Sequence, residues 1–122
     1  MKIAIYSAFF STKSIDYIKT VIDYLKSKGH NFILFEKIKK HLGGLADSYN
    51  YFEDNKLLDK NVDFLFSIGG DGTLLRSISV IKDSKIPILG INAGRLGFLT
   101  TLNKNTLKEG LNQYFIKKSE FV

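Results

Sequence analysis

Val62-Asp63-Phe64-Leu65-Phe66-Ser67-Ile68-Gly69-Gly70-Asp71-Gly72-Thr73 decides the fold. Its first half is a run of apolar, mostly aromatic and β-branched residues, polar only at Asp63 and Ser67, the pattern of a strand covered on both faces. Glycines at 69, 70 and 72 end that run, and Leu74, Leu75, Ile78 and Ile81 follow at the spacing of a short amphipathic helix. A buried strand that turns through glycine into a helix is the building unit of parallel α/β folds.

The same unit stands upstream. Lys2 to Ser7 reads as a strand, and Ser11 or Thr12 can cap a helix whose apolar positions are Ile15, Ile18, Val21, Ile22 and Leu25. Lys26 and Lys28 fall in its last turn, where cations suit the helix dipole, and Gly29 is placed to stop it in a left-handed conformation. Asn31 to Glu36 reads as the second strand. From Lys37 to Lys60 the pattern weakens, with Gly43-Gly44 and a polar-aromatic stretch from Ser48 to Asn55, so a loop holding one or two short helical pieces is expected. Pro87 to Ile91 is a further strand, opened by the sole proline at the position a sheet tolerates best. A second glycine-rich turn, Asn92 to Leu99, follows, and Leu107, Leu111, Tyr114 and Phe115 suggest a last helix over 105–115. With right-handed crossovers these elements predict an α/β domain over 1–115, a three-layer Rossmann-like parallel sheet with flanking helices. Ligands in such sheets sit beyond the carboxyl ends of the strands, so the turns after Ile68 and Ile91 should share one edge and can converge on one site.

The composition fits that domain. The chain has 122 residues, 44% hydrophobic and 25% charged, enough for one core and unlike a disordered, collagenous or coiled-coil chain. With no cysteine there is no disulfide, thiolate metal site or thiol nucleophile, and His30 and His41, read as surface residues, are too few for a zinc cluster unless carboxylates complete it. Apolar runs are far too short to span a bilayer, and the N-terminus lacks the features of a signal peptide, so a cytoplasmic protein with no membrane partner is expected. The net charge of +6 comes from lysines spread along the whole chain. Such a field suits anionic small molecules, and no nucleic-acid partner is expected.

In the first turn, Gly69, Gly70 and Gly72 let phosphate oxygens approach the amides with no Cβ in the way, and the helix starting near Thr73 aims its positive end at the same spot. Asp71 is out of place in an anion site unless it accepts a proton from an attacking hydroxyl or holds a divalent cation. A plain tight turn with Asp71 capping the helix competes with that reading. The phosphate loop of common nucleotide hydrolases is excluded because Leu74 follows Thr73 where Lys-Ser or Lys-Thr is needed, and a dinucleotide fingerprint because position 75 is Leu. The turn after the first strand, Ser7 to Ser11, holds no glycine at all. Elsewhere both readings stay open. Arg76 suits a ligand or a solvated helix face, Arg95 a phosphate or an exposed turn, and Asn92 a backbone or a ligand partner. Phe98 by itself reads as core. Tyr49, Tyr51 and Phe52 fit a lid or subunit contact, or side chains folded back onto the domain.

Gly69-Gly70-Asp71-Gly72-Thr73 resembles the signature shared by NAD kinases, diacylglycerol and sphingosine kinases and, more loosely, 6-phosphofructokinases. The second turn, Gly90-Ile91-Asn92-Ala93-Gly94-Arg95-Leu96-Gly97-Phe98-Leu99, resembles the Gly-x-Asn-x-Gly-x-Leu-Gly-Phe-Leu segment of NAD kinases and not the Pro-Leu-Gly-Thr-Gly-Asn-Asp type of the lipid kinases. The resemblance implies phosphoryl transfer from ATP, or in some members polyphosphate, to the 2′-hydroxyl of the adenosine ribose of NAD. It implies Asp71 as the base, Gly72 and Arg76 as NAD contacts, Phe98 packed on the adenine, and Asn92, Gly94, Leu96 and Gly97 as part of the same nucleotide-binding turn. Mg2+ or another divalent cation would accompany ATP and neutralise its phosphates. Family members also carry a second, β-rich domain with an Asn-Glu pair for the ribose, and are commonly homo-oligomers. Neither that pair nor such a domain follows Phe115, so residues 116–122 are expected to begin the crossover toward it and the chain alone to be inactive. A non-catalytic nucleotide-binding module is the alternative, and a lipid kinase fragment the more distant one.

Overall fold

A computed structural model describes residues 1–53, 61–81, 86–92 and 111–112. Strand β1 (Lys2–Tyr6) leads into helix α1 (Thr12–Ser27), then β2 (Asn31–Phe35), two successive 3-10 helices (Glu36–His41 and Gly43–Ser48), β3 (Tyr51–Phe52), β4 (Phe64–Gly69), helix α2 (Asp71–Ile81) and β5 (Ile88–Asn92). The strands form one parallel sheet in the order β3-β2-β1-β4-β5. Successive residues Ile3, Ala4 and Ile5 are all fully buried, as are Leu65 and Phe66. Adjacent strand residues point to opposite faces, so burial at every position means that both faces are covered, as the unbroken apolar runs require.

Local chemistry explains the element boundaries. Ser11 caps α1 through a reciprocal capping box: its hydroxyl accepts from the Ser14 amide (3.1 Å), and the Ser14 hydroxyl accepts from the Ser11 amide (2.8 Å). Tyr17, Ile18, Val21, Ile22 and Leu25 turn one stripe of α1 into the core, each side chain stabilising the fold by about 1.5–3 kcal/mol at most. Gly29 follows at φ +74°, the expected left-handed stop, and the His30 amide donates to the Leu25 carbonyl (3.0 Å). The start of β4 is fixed by Asp63, whose carboxylate accepts from the Lys2 amide and whose amide donates to the Lys2 carbonyl, both at 2.8 Å.

Three features depart from the sequence reading. The segment after β2 holds two short 3-10 helices, as expected, but ends in a strand; β3 is only two residues long and therefore carries no periodicity to read. It exists because Leu34 and Phe35 of β2 pair with Tyr51 and Phe52, with the Phe35 and Phe52 rings 5.7 Å apart. Tyr49 packs on Phe32 (5.5 Å) and the Tyr51 hydroxyl donates to the Ala46 carbonyl, so of the two readings open for these side chains the one folded back onto the domain holds. His41 is half-buried, not superficial, and stacks on Phe10 at 4.4 Å; His30 is half-buried as well.

Helix α2 is the third departure. It starts at Asp71 and buries Thr73, Ser77 and Val80, leaving Leu74, Leu75 and Ile78 exposed, Leu75 by 67%. Small hydroxyl residues on the inner face let the helix lie close to the sheet, and the Ser77 hydroxyl is satisfied locally by the Thr73 carbonyl (2.8 Å). The second glycine-rich turn beyond Asn92 and most of the helix expected over 105–115 lie outside the described residues, although Leu111 and Asn112 are helical, Leu111 is buried, and the Tyr24 hydroxyl donates to the Asn112 side-chain carbonyl (2.5 Å).

Candidate nucleotide site at the sheet switch point

The chain leaves β1 toward β2 and β3 on one side, then crosses back to β4 and β5 on the other. At such a reversal the loops beyond the neighbouring carboxyl ends diverge and leave a crevice. Here it opens between the ends of β1 and β4. Buried Ser7 pins the two ends together, its hydroxyl donating to the Ile68 carbonyl at 2.6 Å across 61 positions of sequence.

Gly69 ends β4 at φ +153°, a conformation closed in practice to residues with a side chain. A Cβ there would lie 2.5 Å from Thr73 Oγ1 and 3.0 Å from Thr73 Cβ, so glycine is needed for space as well as for the turn. Gly70 differs. Its φ is not positive, and a Cβ would meet nothing within 4 Å. The fold does not demand glycine at 70, and what the missing side chain leaves is bare, exposed backbone at the amino end of α2, where free amides and the helix dipole favour an anion.

Asp71 is the first residue of α2 and is exposed to the crevice edge. With Ser67, Gly69, Gly70, Leu74, Gly90 and Ile91 it lines a small cleft along the ends of β4 and β5. The register pairs Gly69 with Asn92, so β4 and β5 end at the same edge of the sheet, and the rest of the second glycine-rich turn lies outside the described residues. Thr73 is fully buried beneath Gly69, its hydroxyl without a hydrogen-bond partner among the described residues, so its side chain packs inside the turn. Gly72 and Arg76 both adjoin Phe9 from the loop after β1: a Cβ on Gly72 would approach the Phe9 ring to 3.1 Å, and the Arg76 guanidinium lies 5.1 Å from the ring centre. The sequence reading did not single out Phe9, which adjoins two of its candidate site residues. Its only signal was an aromatic pair, Phe9-Phe10, in a glycine-free loop at the ligand edge. Gly94, Leu96, Gly97 and Phe98 lie outside the described residues.

Among the described residues no group of three or more His, Asp or Glu side chains is arranged to hold a metal ion, and no helix is long and apolar enough to cross a membrane.

The family model of the ATP-NAD kinase N-terminal domain matches residues 10–118. The chain is 37% identical over 121 residues to the NAD kinase of Flavobacterium psychrophilum, covering 97% of this chain and 41% of that protein. It is 35% identical over 111 residues to the NAD kinase of Methanothermobacter thermautotrophicus, covering 91% and 38%. Among solved structures, yeast NADH kinase complexed with NADH superposes with a TM-score of 0.61 at 16% identity, over 93% of this chain and 37% of that one, a likeness of fold. The chain thus spans about two fifths of the length of the curated relatives it matches.

Proposed function

The chain belongs to the NAD kinase family, whose amino-terminal domain it matches, and from that premise we propose that it forms the nucleotide-binding half of an enzyme that phosphorylates NAD with ATP. The observation that carries the reading is the placement of Asp71: a lone carboxylate at the amino end of α2, beside a glycine-bared backbone, at the point where the sheet reverses. Gly70 leaves the backbone at the amino end of α2 open to phosphate oxygens, and the dipole of α2 adds positive potential there. Phosphates bound so would hold a ribose hydroxyl near the Asp71 carboxylate. A ribose hydroxyl is a poor nucleophile at neutral pH, and a positioned base contributes about 10²–10⁴ in rate by taking its proton. On this reading the 2′-oxygen forms its bond to the γ-phosphorus as its proton passes to Asp71, and ADP leaves with the electrons of the broken phosphorus–oxygen bond.

Gly72 and Arg76 then contact NAD, and the second turn, with Asn92, Gly94, Leu96, Gly97 and Phe98, closes on the adenosine end. A divalent cation such as Mg2+ fits as a companion of ATP. Asp71 is the single carboxylate lining the described part of the cleft, so such an ion would be held mainly by phosphate oxygens, where it spreads and neutralises their charge. Residues 1–115 form the nucleotide-binding domain on this reading, and residues 116–122 lead toward a β-rich domain that supplies the rest of the NAD site. The isolated chain therefore lacks turnover, and oligomer contacts belong largely to that second domain. The enzyme is expected in the cytoplasm, without a nucleic-acid or membrane partner.

Two measurements test this. Calorimetric titration of the chain with NAD and ATP should show nucleotide binding, and a coupled assay for NADP should be silent for the 122-residue chain and positive for the full-length gene product. Asp71→Asn in the full-length product should lower kcat by the base's share, about 10²–10⁴, with little change in nucleotide affinity. Binding of diacylglycerol without nucleotide binding would overturn the reading.

A further inference from the structure

Phe9 is a large aromatic that the core does not need. It is 57% exposed, in the loop after β1 where the crevice opens, and its ring meets Gly72 of the glycine-rich turn and Arg76 of α2. The edge of the ring lies where a side chain on Gly72 would be, and its face lies under the Arg76 guanidinium at 5.1 Å. The pieces adjoin one another: a side chain at 72 would press on the ring edge and make it shift by a few tenths of an ångström, and the ring gives the flexible Arg76 side chain a surface to rest on. A guanidinium over an aromatic face is held by the ring's quadrupole while its in-plane N–H donors stay available to an acceptor.

We propose that Phe9 is a positioning residue for the nucleotide: its ring, in the loop beyond the carboxyl end of β1 and against Gly72, holds the Arg76 guanidinium so that its donors meet the polar groups of NAD with less ordering left to do on binding. The proposal rests on the reading of Arg76 as an NAD contact. It gives the glycine-free loop after β1 a share in binding by an aromatic platform, where other dinucleotide sites use bare backbone.

The test uses the full-length gene product and the variants Phe9→Leu, Phe9→Tyr, Arg76→Met and the double variant Phe9→Leu/Arg76→Met. An exposed cation–π contact corresponds to about a two- to fivefold change in an equilibrium constant. Phe9→Leu keeps the bulk and loses the π face, so KM for NAD should rise by about two- to fivefold while kcat and KM for ATP stay within about twofold. Phe9→Tyr keeps the face and should behave as wild type. In the Arg76→Met background Phe9→Leu should add nothing, since the group it positions is gone. The thermal midpoint should not move in Phe9→Leu, because the side chain is mostly exposed. An unchanged KM for NAD in Phe9→Leu, a fall confined to kcat, or an undiminished Phe9→Leu effect in the Arg76→Met background would each refute the positioning role while leaving the kinase reading intact. A wild-type product that neither binds nor phosphorylates NAD would refute that reading and this proposal together.

Discussion

Replacing Gly69 with alanine sets one methyl group against the most confined point of the site. The new Cβ would stand 2.5 Å from Thr73 Oγ1 and 3.0 Å from Thr73 Cβ, at a residue whose φ of +153° no side chain favours. Neither partner can give way easily. Thr73 is fully buried in the first turn of α2, and Gly69 is held in β4 by its pairing with Asn92. Strain at such a φ costs about 1–3 kcal/mol and overpacking about 1–3 kcal/mol, so a loss of about 2–6 kcal/mol is expected. For a domain of this size that lowers the thermal midpoint by about 8–24 °C, read by circular dichroism on the chain. The two contributions separate in a double variant. Thr73→Ala removes Oγ1, a buried hydroxyl with no partner among the described residues, and by itself should change stability little. Combined with Gly69→Ala it should recover the part of the steric share due to Oγ1 and leave the backbone strain. Gly70→Ala is the contrast: its Cβ meets nothing, so stability should stay within about 0.5 kcal/mol while nucleotide binding falls. A Gly69→Ala chain that melts within about 2 °C of wild type, or one that Thr73→Ala does not rescue, would refute the packing argument.

Three further outcomes are expected. Ser7→Ala leaves the buried Ile68 carbonyl without the hydroxyl that ties the ends of β1 and β4, and should cost about 1–3 kcal/mol in chemical denaturation. Ser11→Ala breaks both hydrogen bonds of the α1 capping box and should cost about 1 kcal/mol by the same measurement, without affecting nucleotide binding. Burial, and secondarily the positive amino terminus, hold the His30 imidazole below its ordinary pKa. The unfolded chain therefore binds that proton more readily, so stability should fall as pH drops through about 6.5 toward 5, and His30→Gln should flatten that part of the curve.

Where sequence and structure agree, the signal was local. The strand runs through Ile3–Ile5 and Phe64–Ile68 were readable because unbroken apolar strands occur where both faces are covered, and the cap at Ser11 and stop at Gly29 because each is decided by one residue's own chemistry. Where they differ, the information sat in a distant partner. β3 is a strand only because β2 lies beside it. Helix α2 shows an apolar stripe in its sequence yet buries Thr73, Ser77 and Val80, because the tight turn at Gly69 sets the rotation at which the helix meets the sheet. His41 lies half-buried because Phe10, from another loop, stacks on it.

The glycine-rich turn was likewise legible in kind but not in detail. That Gly69, Gly70, Asp71 and Gly72 make a glycine-rich turn carrying one carboxylate between a strand and a helix follows from residue types and order, since those define which backbone conformations are possible. That Gly69 is demanded by packing while Gly70 stands open, that Ser7 ties the crevice shut at its root, and that Phe9 supports Arg76 follow only from the folded chain. The physical reason is range. Conformational freedom and side-chain chemistry belong to single residues and are written in order along the sequence, whereas contacts between residues more than 60 positions apart, such as Ser7 with Ile68 or Phe9 with Arg76, come into being when the sheet brings β1 and β4 together.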